Sequence, residues 1–138
     1  MNLNLAPHHV AISVTEINQS IDFYEKLGFK KVHYFESEDS KVKIAHLKLN
    51  ELFLEIFEFS DNEGSLKYSQ DKAGVDSIGV KHLALKTDDI YKTLSLMIEA
   101  GLAGESTEVV MGRTNVLYFF IRDPDNIWVE IVQDDRLY

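Results

Sequence analysis

The chain has no cysteine in 138 residues, so neither disulfide staples nor thiolate chemistry is available. Any metal must be held by nitrogen and oxygen ligands. That absence suits a reducing cytoplasm, which is the expected location. Long apolar runs are also missing: no stretch approaches the roughly 20 apolar residues needed to cross a bilayer. Met1 to Pro7 lacks the basic region and apolar run of a signal peptide, and no membrane partner is expected. Basic charge is scarce. The 14 Lys and Arg residues are scattered against 23 Asp and Glu, for a formal net charge of −9. Neutralising phosphates needs clustered cations, so a nucleic-acid partner is not expected. What is present is ordinary globular material, 45% hydrophobic and 27% charged, in a length that suits one domain over 1–138 or two half-domains sharing a core.

The chain repeats itself faintly. His9-Val-Ala-Ile-Ser-Val-Thr-Glu-Ile17 lies over His82-Leu-Ala-Leu-Lys-Thr-Asp-Asp-Ile90 without a gap, and Gly28-Phe29 follows over Gly101-Leu102. Further on, Glu51-Leu-Phe-Leu-Glu55-Ile-Phe matches Asn126-Ile-Trp-Val-Glu130-Ile-Val. The second copy has gained two residues between these blocks, and the turn Asp123-Pro124-Asp125 is the expected place for both. Each half thus has a histidine near its start and a glutamate near its end.

Periodicity assigns the elements. Val10, Ile12 and Val14 alternate with Ala11 and Ser13 as a half-buried strand does, and Leu83, Leu85 and Thr87 repeat the pattern. Thr15 offers an N-cap to a helix bearing Ile17, Ile21, Tyr24 and Leu27, closed by Gly28; Ile90, Leu94, Met97 and Ile98, closed by Gly101, form its counterpart. Three β-rich segments follow each helix, 29–37, 41–50 and 51–59, then 102–110, 114–122 and 127–133. The expected fold class is α+β, two βαβββ modules over 5–59 and 79–135 joined by a polar linker, 60–78, part of which could be a short helix.

Strand parity places the ionisable residues. If Val10, Ile12 and Val14 face the helix, His9 points to the open face, and so does His82. Leu52, Leu54 and Ile56 leave Phe53, Glu55 and Phe57 on that face; Ile127, Val129 and Ile131 leave Trp128, Glu130 and Val132. A carboxylate between large apolar neighbours is costly unless it is protonated, paired or bound to metal. A lone histidine or glutamate in such a strand is usually structural. Four in matched positions on one face make a candidate site for a divalent ion, and two imidazoles with two carboxylates suit Zn, Ni, Fe, Co or Mn.

These residues resemble the vicinal oxygen chelate superfamily, which includes glyoxalase I, methylmalonyl-CoA epimerase, extradiol dioxygenases and the fosfomycin and bleomycin resistance proteins. The resemblance rests on His9-Val-Ala-Ile with Ser20-Ile-Asp-Phe-Tyr-Glu-Lys-Leu-Gly-Phe29, on Lys81-His-Leu-Ala-Leu85, and on Phe120-Ile-Arg-Asp-Pro-Asp125 leading to Glu130. It implies a curved mixed sheet around a metal-binding cavity, with His9, Glu55, His82 and Glu130 as ligands. The usual glycine after Asp-Pro-Asp is Asn126, which also visits the left-handed region.

Within the family, a complete set of four ligands resembles glyoxalase I and the epimerases, whereas extradiol enzymes use two histidines and one carboxylate. The implied activity is a metal-dependent lyase or isomerase acting on a small oxygenated substrate, with a metal-stabilised enediolate and Glu130 or Glu55 as catalytic base. The alternatives are a metal-free drug- or metabolite-binding protein of the bleomycin-resistance type and an extradiol-type dioxygenase. A homodimer is expected, since relatives sometimes pair modules between chains. Arg113 and Arg122 are possible anion contacts or plain surface residues, His46 a possible proton relay or a structural histidine, and Trp128 a pocket wall or core. His8 is turned away by parity, and His33 is too isolated to interpret.

Overall fold

The computed structural model describes residues 5–60 and 80–136; most of the expected linker, with its possible helix, lies outside them. The chain divides into two compact units, Met1–Lys67 and Tyr68–Tyr138. Each described unit is a four-stranded mixed sheet with one helix, and together they are the two modules of an α+β fold. No described helix is long and apolar enough to cross a membrane.

In the first unit β1 (His9–Val14), α1 (Ile17–Lys26), β2 (Lys30–Glu36), β3 (Val42–Leu49) and β4 (Leu52–Phe59) follow in order, and the sheet runs β1-β4-β3-β2 with β1 parallel to β4. The helix covers one face because its apolar positions recur at helical spacing: Ile17, Ile21 and Tyr24 are buried against Val14, Ala45, Leu47, Leu54 and Ile56. β1 departs from simple parity at its start, where Val10 remains 37% exposed and only Val14 is fully buried.

The start of α1 differs from expectation. Thr15 does not stand at the N-cap; Glu16 does, and its side chain makes no capping bond. The Ile17 N–H instead donates to Glu58 Oε2 on β4 at 2.6 Å, and Lys43 Nζ on β3 donates to Glu58 Oε1 at 2.8 Å. The cap is therefore a tertiary contact that ties the helix to the sheet. Burial would push the Glu58 carboxyl up, but the Lys43 ammonium and the Ile17 amide outweigh it and hold the pKa below its ordinary value. At the other end Gly28, at φ +98, closes the helix as expected. Phe29 N–H reaches Tyr24 O and Gly28 N–H reaches Glu25 O, the paired bonds of a Schellman motif, with the Phe29 and Tyr24 rings in contact.

The second unit repeats this plan with β5 (Leu83–Lys86), α2 (Ile90–Glu99), β6 (Val110–Met111), β7 (Leu117–Arg122) and β8 (Trp128–Gln133), in the order β5-β8-β7-β6. Phe119, Ile121, Val129, Ile131 and Ile90 are its buried core. The tether at the helix start recurs in neutral form, Ile90 N–H donating to Gln133 Oε1 at 2.9 Å, and Asp89 adds a true N-cap to Lys92 N–H.

The strand expected over 102–110 shrinks to Val110–Met111. Leu102 N–H is taken by Met97 O in closing α2, Thr107 N–H turns back to Gly104 O, and the intervening residues are irregular. The strand expected from 114 starts at Leu117, because 112–116 is a tight turn with Asn115 at φ 60. Asn126 adopts φ 69, the left-handed conformation expected of it, and Asp123 Oδ1 accepts from the Asp125 and Ile127 amides to fix that turn. Register corrects the placement of the two extra residues. Glu55 pairs with His46 whereas Glu130 pairs with Phe120, so this hairpin has gained one residue and the other lies upstream of β7.

Candidate metal centre

In the first unit, the open face of the sheet carries a row of ionisable side chains that crosses all four strands. Ala45 and Leu47 are buried against the helix side, which leaves His46 between them on the opposite face. Glu55 stands at the centre of the row: its Oε2 is 3.3 Å from His9 Nε2 and its Oε1 is 2.9 Å from His46 Nε2. An ionised carboxylate only accepts, so His46 donates through Nε2–H. His33, the β2 partner of His46, places its ring centroid 5.6 Å away.

His8 corrects another expectation. It precedes β1, so strand parity does not govern it, and it stacks on Phe53 with its Nδ1 2.8 Å from His9 Nδ1. One proton bridges those two nitrogens. When His9 holds it, donating to His8, the His9 Nε2 lone pair is left free, which is the form a metal ligand requires.

The second unit brings together the matched pair. His82 Nε2 lies 2.7 Å from Glu130 Oε2. The surroundings are aromatic: the Phe120 ring meets His82 at 5.1 Å and Trp128 at 5.3 Å, and Tyr118 lies 5.6 Å from Phe120. The His82 Nδ1 and Trp128 Nε1 atoms are buried and have no hydrogen-bond partner among the described residues. The Arg122 guanidinium stacks 3.7 Å above the Trp128 ring. Trp128 is therefore a pocket wall: with Tyr118, Phe120, Arg122 and the segment 101–108 it lines an open groove of about 790 Å³. Arg113 is exposed in the turn before β7.

Among the described residues no group of three or more histidine and acidic side chains is drawn together as a metal site; each unit supplies a pair. The donor chemistry fits a divalent ion. With metal–ligand bonds of about 2.0 to 2.2 Å, neighbouring N and O ligands stand roughly 2.9 to 3.4 Å apart. The His9–Glu55 separation of 3.3 Å falls in that range, and the His82–Glu130 separation of 2.7 Å needs to open by only a few tenths.

The comparisons with known proteins agree with this architecture. A model of the Glyoxalase/Bleomycin resistance protein/Dioxygenase superfamily matches residues 6–131, and the chain belongs to that superfamily. A probable lactoylglutathione lyase of Vibrio cholerae serotype O1 is 27% identical over 134 residues, covering 94% of this chain and 91% of the relative. The lactoylglutathione lyase of Pseudomonas putida is 25% identical, with coverage of 94% and 86%. Among solved structures, a glyoxalase family protein from Enterococcus faecalis is similar at a TM-score of 0.74 and 28% identity, over 92% of this chain and 96% of that one. Glyoxalase I of Zea mays shares the fold at a TM-score of 0.64 and 20% identity, over 93% of this chain and 45% of the maize chain.

Proposed function

We propose that the protein is a metal-dependent lyase or isomerase of the glyoxalase I type, acting on a small oxygenated substrate, with isomerisation of a hemithioacetal as the nearest named reaction. The observation that carries this reading is the pair of matched His–Glu contacts, His9 with Glu55 and His82 with Glu130, at equivalent places in two modules. Relatives named lactoylglutathione lyase at 25 to 27% identity support it. The four side chains are the ligand set of one divalent ion, Zn, Ni, Fe, Co or Mn, completed within one chain or between two chains of a homodimer.

When bound, the ion supplies Lewis acidity to the substrate oxygens. The protein's own part is to move a proton beside a carbonyl. Glu130 is the better base of the two glutamates. Among the described residues Glu55 gives one oxygen to a hydrogen bond from His46 besides its contact with His9, whereas Glu130 meets only His82, through Oε2, and its cross-strand neighbour is the apolar Phe120. A carboxylate held at one oxygen swings with fewer bonds to break. The aromatic groove beside it would take an apolar substituent of the substrate.

The first test is metal content by plasma mass spectrometry on protein purified without chelators, wild type beside Glu55→Ala. About one transition metal per site, much reduced in the variant, is expected, since an inner ligand is lost. A substrate screen would then begin with hemithioacetals. Wild-type protein that stays empty after incubation with Zn, Ni, Mn and Fe would sink the metalloenzyme reading and leave the small-molecule-binding alternative in front.

A further inference from the structure

We propose that His46 is a positioning residue that fixes Glu55 as a permanent, one-oxygen metal ligand; this rests on the metal-centre reading above. Three observations carry it. His46 and Glu55 are directly opposed across the β3–β4 ladder, so the contact is set by backbone register rather than by a flexible loop. The His46 Nε2 reaches Oε1 at 2.9 Å while His9 addresses Oε2, so the two oxygens are assigned different partners. At the equivalent register position of the second unit, facing Glu130, stands Phe120, which has no donor to give.

The consequence is a division of labour between two glutamates that the repeat makes formally alike. A carboxylate whose outer oxygen accepts a charge-assisted hydrogen bond loses rotational freedom before the ion arrives, and less ordering remains to be done on binding. Glu55 is thereby anchored. The His33 ring packs beside His46 and limits the positions His46 can take. Removal of the His46 donor should therefore weaken metal binding while leaving the fold intact, because His46 lies on the open face and the buried core of β3 is Ala45 and Leu47.

The experiment is Zn²⁺ affinity by competition with a chromophoric chelator, for wild type, His46→Phe, His46→Gln and Glu55→Ala, with thermal melting of each apo protein alongside. His46→Phe copies the second unit and is expected to bind Zn²⁺ about 10- to 100-fold more weakly, the usual effect of losing an outer-shell partner. His46→Gln, whose amide N–H can replace Nε2–H, should recover most of the loss, and each His46 variant should still unfold in one cooperative transition without metal. Wild-type affinity in His46→Phe, with Glu55→Ala impaired, overturns the proposal and leaves the metal-centre reading standing. So does a His46→Gln variant as weak as His46→Phe, since that makes His46 mere packing. A wild type that binds no metal under any condition overturns both.

Discussion

Glu55 and Glu130 occupy the same place in the same strand order, each beside a strand parallel to its own and each facing a histidine, yet their surroundings are unlike. Around Glu55 the neighbours are His9, His46 and, one shell out, His8 and His33. Around Glu130 they are His82, Phe120 and Trp128. The helix tethers diverge in the same direction, Glu58 with Lys43 in the first unit and Gln133 in the second. One module has kept hydrogen-bonding groups where the other has aromatic or neutral ones. The repeat thus conserves the backbone and the pair of donors, and differentiation lies in the residues that flank them across the sheet.

If the units share a scaffold, matched core positions should cost the same. Ile56 in β4 and Ile131 in β8 are 0% and 2% exposed and sit one residue beyond their respective glutamates. Ile56→Ala and Ile131→Ala should each destabilise by about 3 kcal/mol, the range for buried aliphatic truncations, read from urea midpoints. A large inequality would break the comparison, showing that one unit's core collapses around the lost volume more readily than the other's.

The tethers should separate the units by pH. The folded Glu58 pKa is depressed, so the stabilisation it provides is fully present above the unfolded carboxyl's pKa and is lost as pH falls through the lower folded value. Protection of the Ile17 amide of α1 in native-state hydrogen exchange should therefore decline on acidification, while that of Ile90 in α2, tied by the neutral Gln133, lacks this component. Glu58→Gln makes the first unit resemble the second: Ile17 N–H keeps an acceptor, Lys43 loses its charged partner, and the cost at neutral pH is about 1.5 kcal/mol. The variant should lose the acid-dependent part of Ile17 protection. An acid profile unchanged by the substitution would assign it to other carboxylates.

How far the sequence reveals this depends on whether a feature is local. Parity set His9, Glu55, His82 and Glu130 apart from the apolar stripe because each lies in or against a strand with one buried face. Parity misplaces His8 because it has no meaning outside the strand, where the backbone is free to turn the ring onto Phe53. The role of His46 needs the β3–β4 register, which the Asn50-Glu51 turn sets, with Asn50 at φ 51. The missing strand over 102–110 shows the limit of composition: Val109 and Val110 favour β structure, but Leu102 is committed to closing α2 and the Gly104 segment folds back on itself. Glu58 as a helix cap was invisible, since its partner lies 41 residues away.

The smallest expected difference lies at the two helix-closing glycines, and one position elsewhere in the chain calibrates it. Gly101 has φ +69, and so does Asn126, a residue with a side chain that this fold already accommodates at that angle. A Cβ at Gly101 would meet nothing within 4 Å, and one at Gly28 would meet Leu49 Cδ1 at an ordinary 3.5 Å. Space therefore does not distinguish the sites; backbone angle does, because φ +98 at Gly28 lies well beyond the left-handed well that Asn occupies near about +57. Gly101→Asn should be within about 0.5 kcal/mol of wild type, and Gly28→Asn should cost about 1 kcal/mol more than that, both by urea denaturation. Equal costs would mean that the first helix relaxes to the ordinary left-handed angle when substituted, and that the tether at its other end, Glu58, carries more of the helix's placement than its closing turn does.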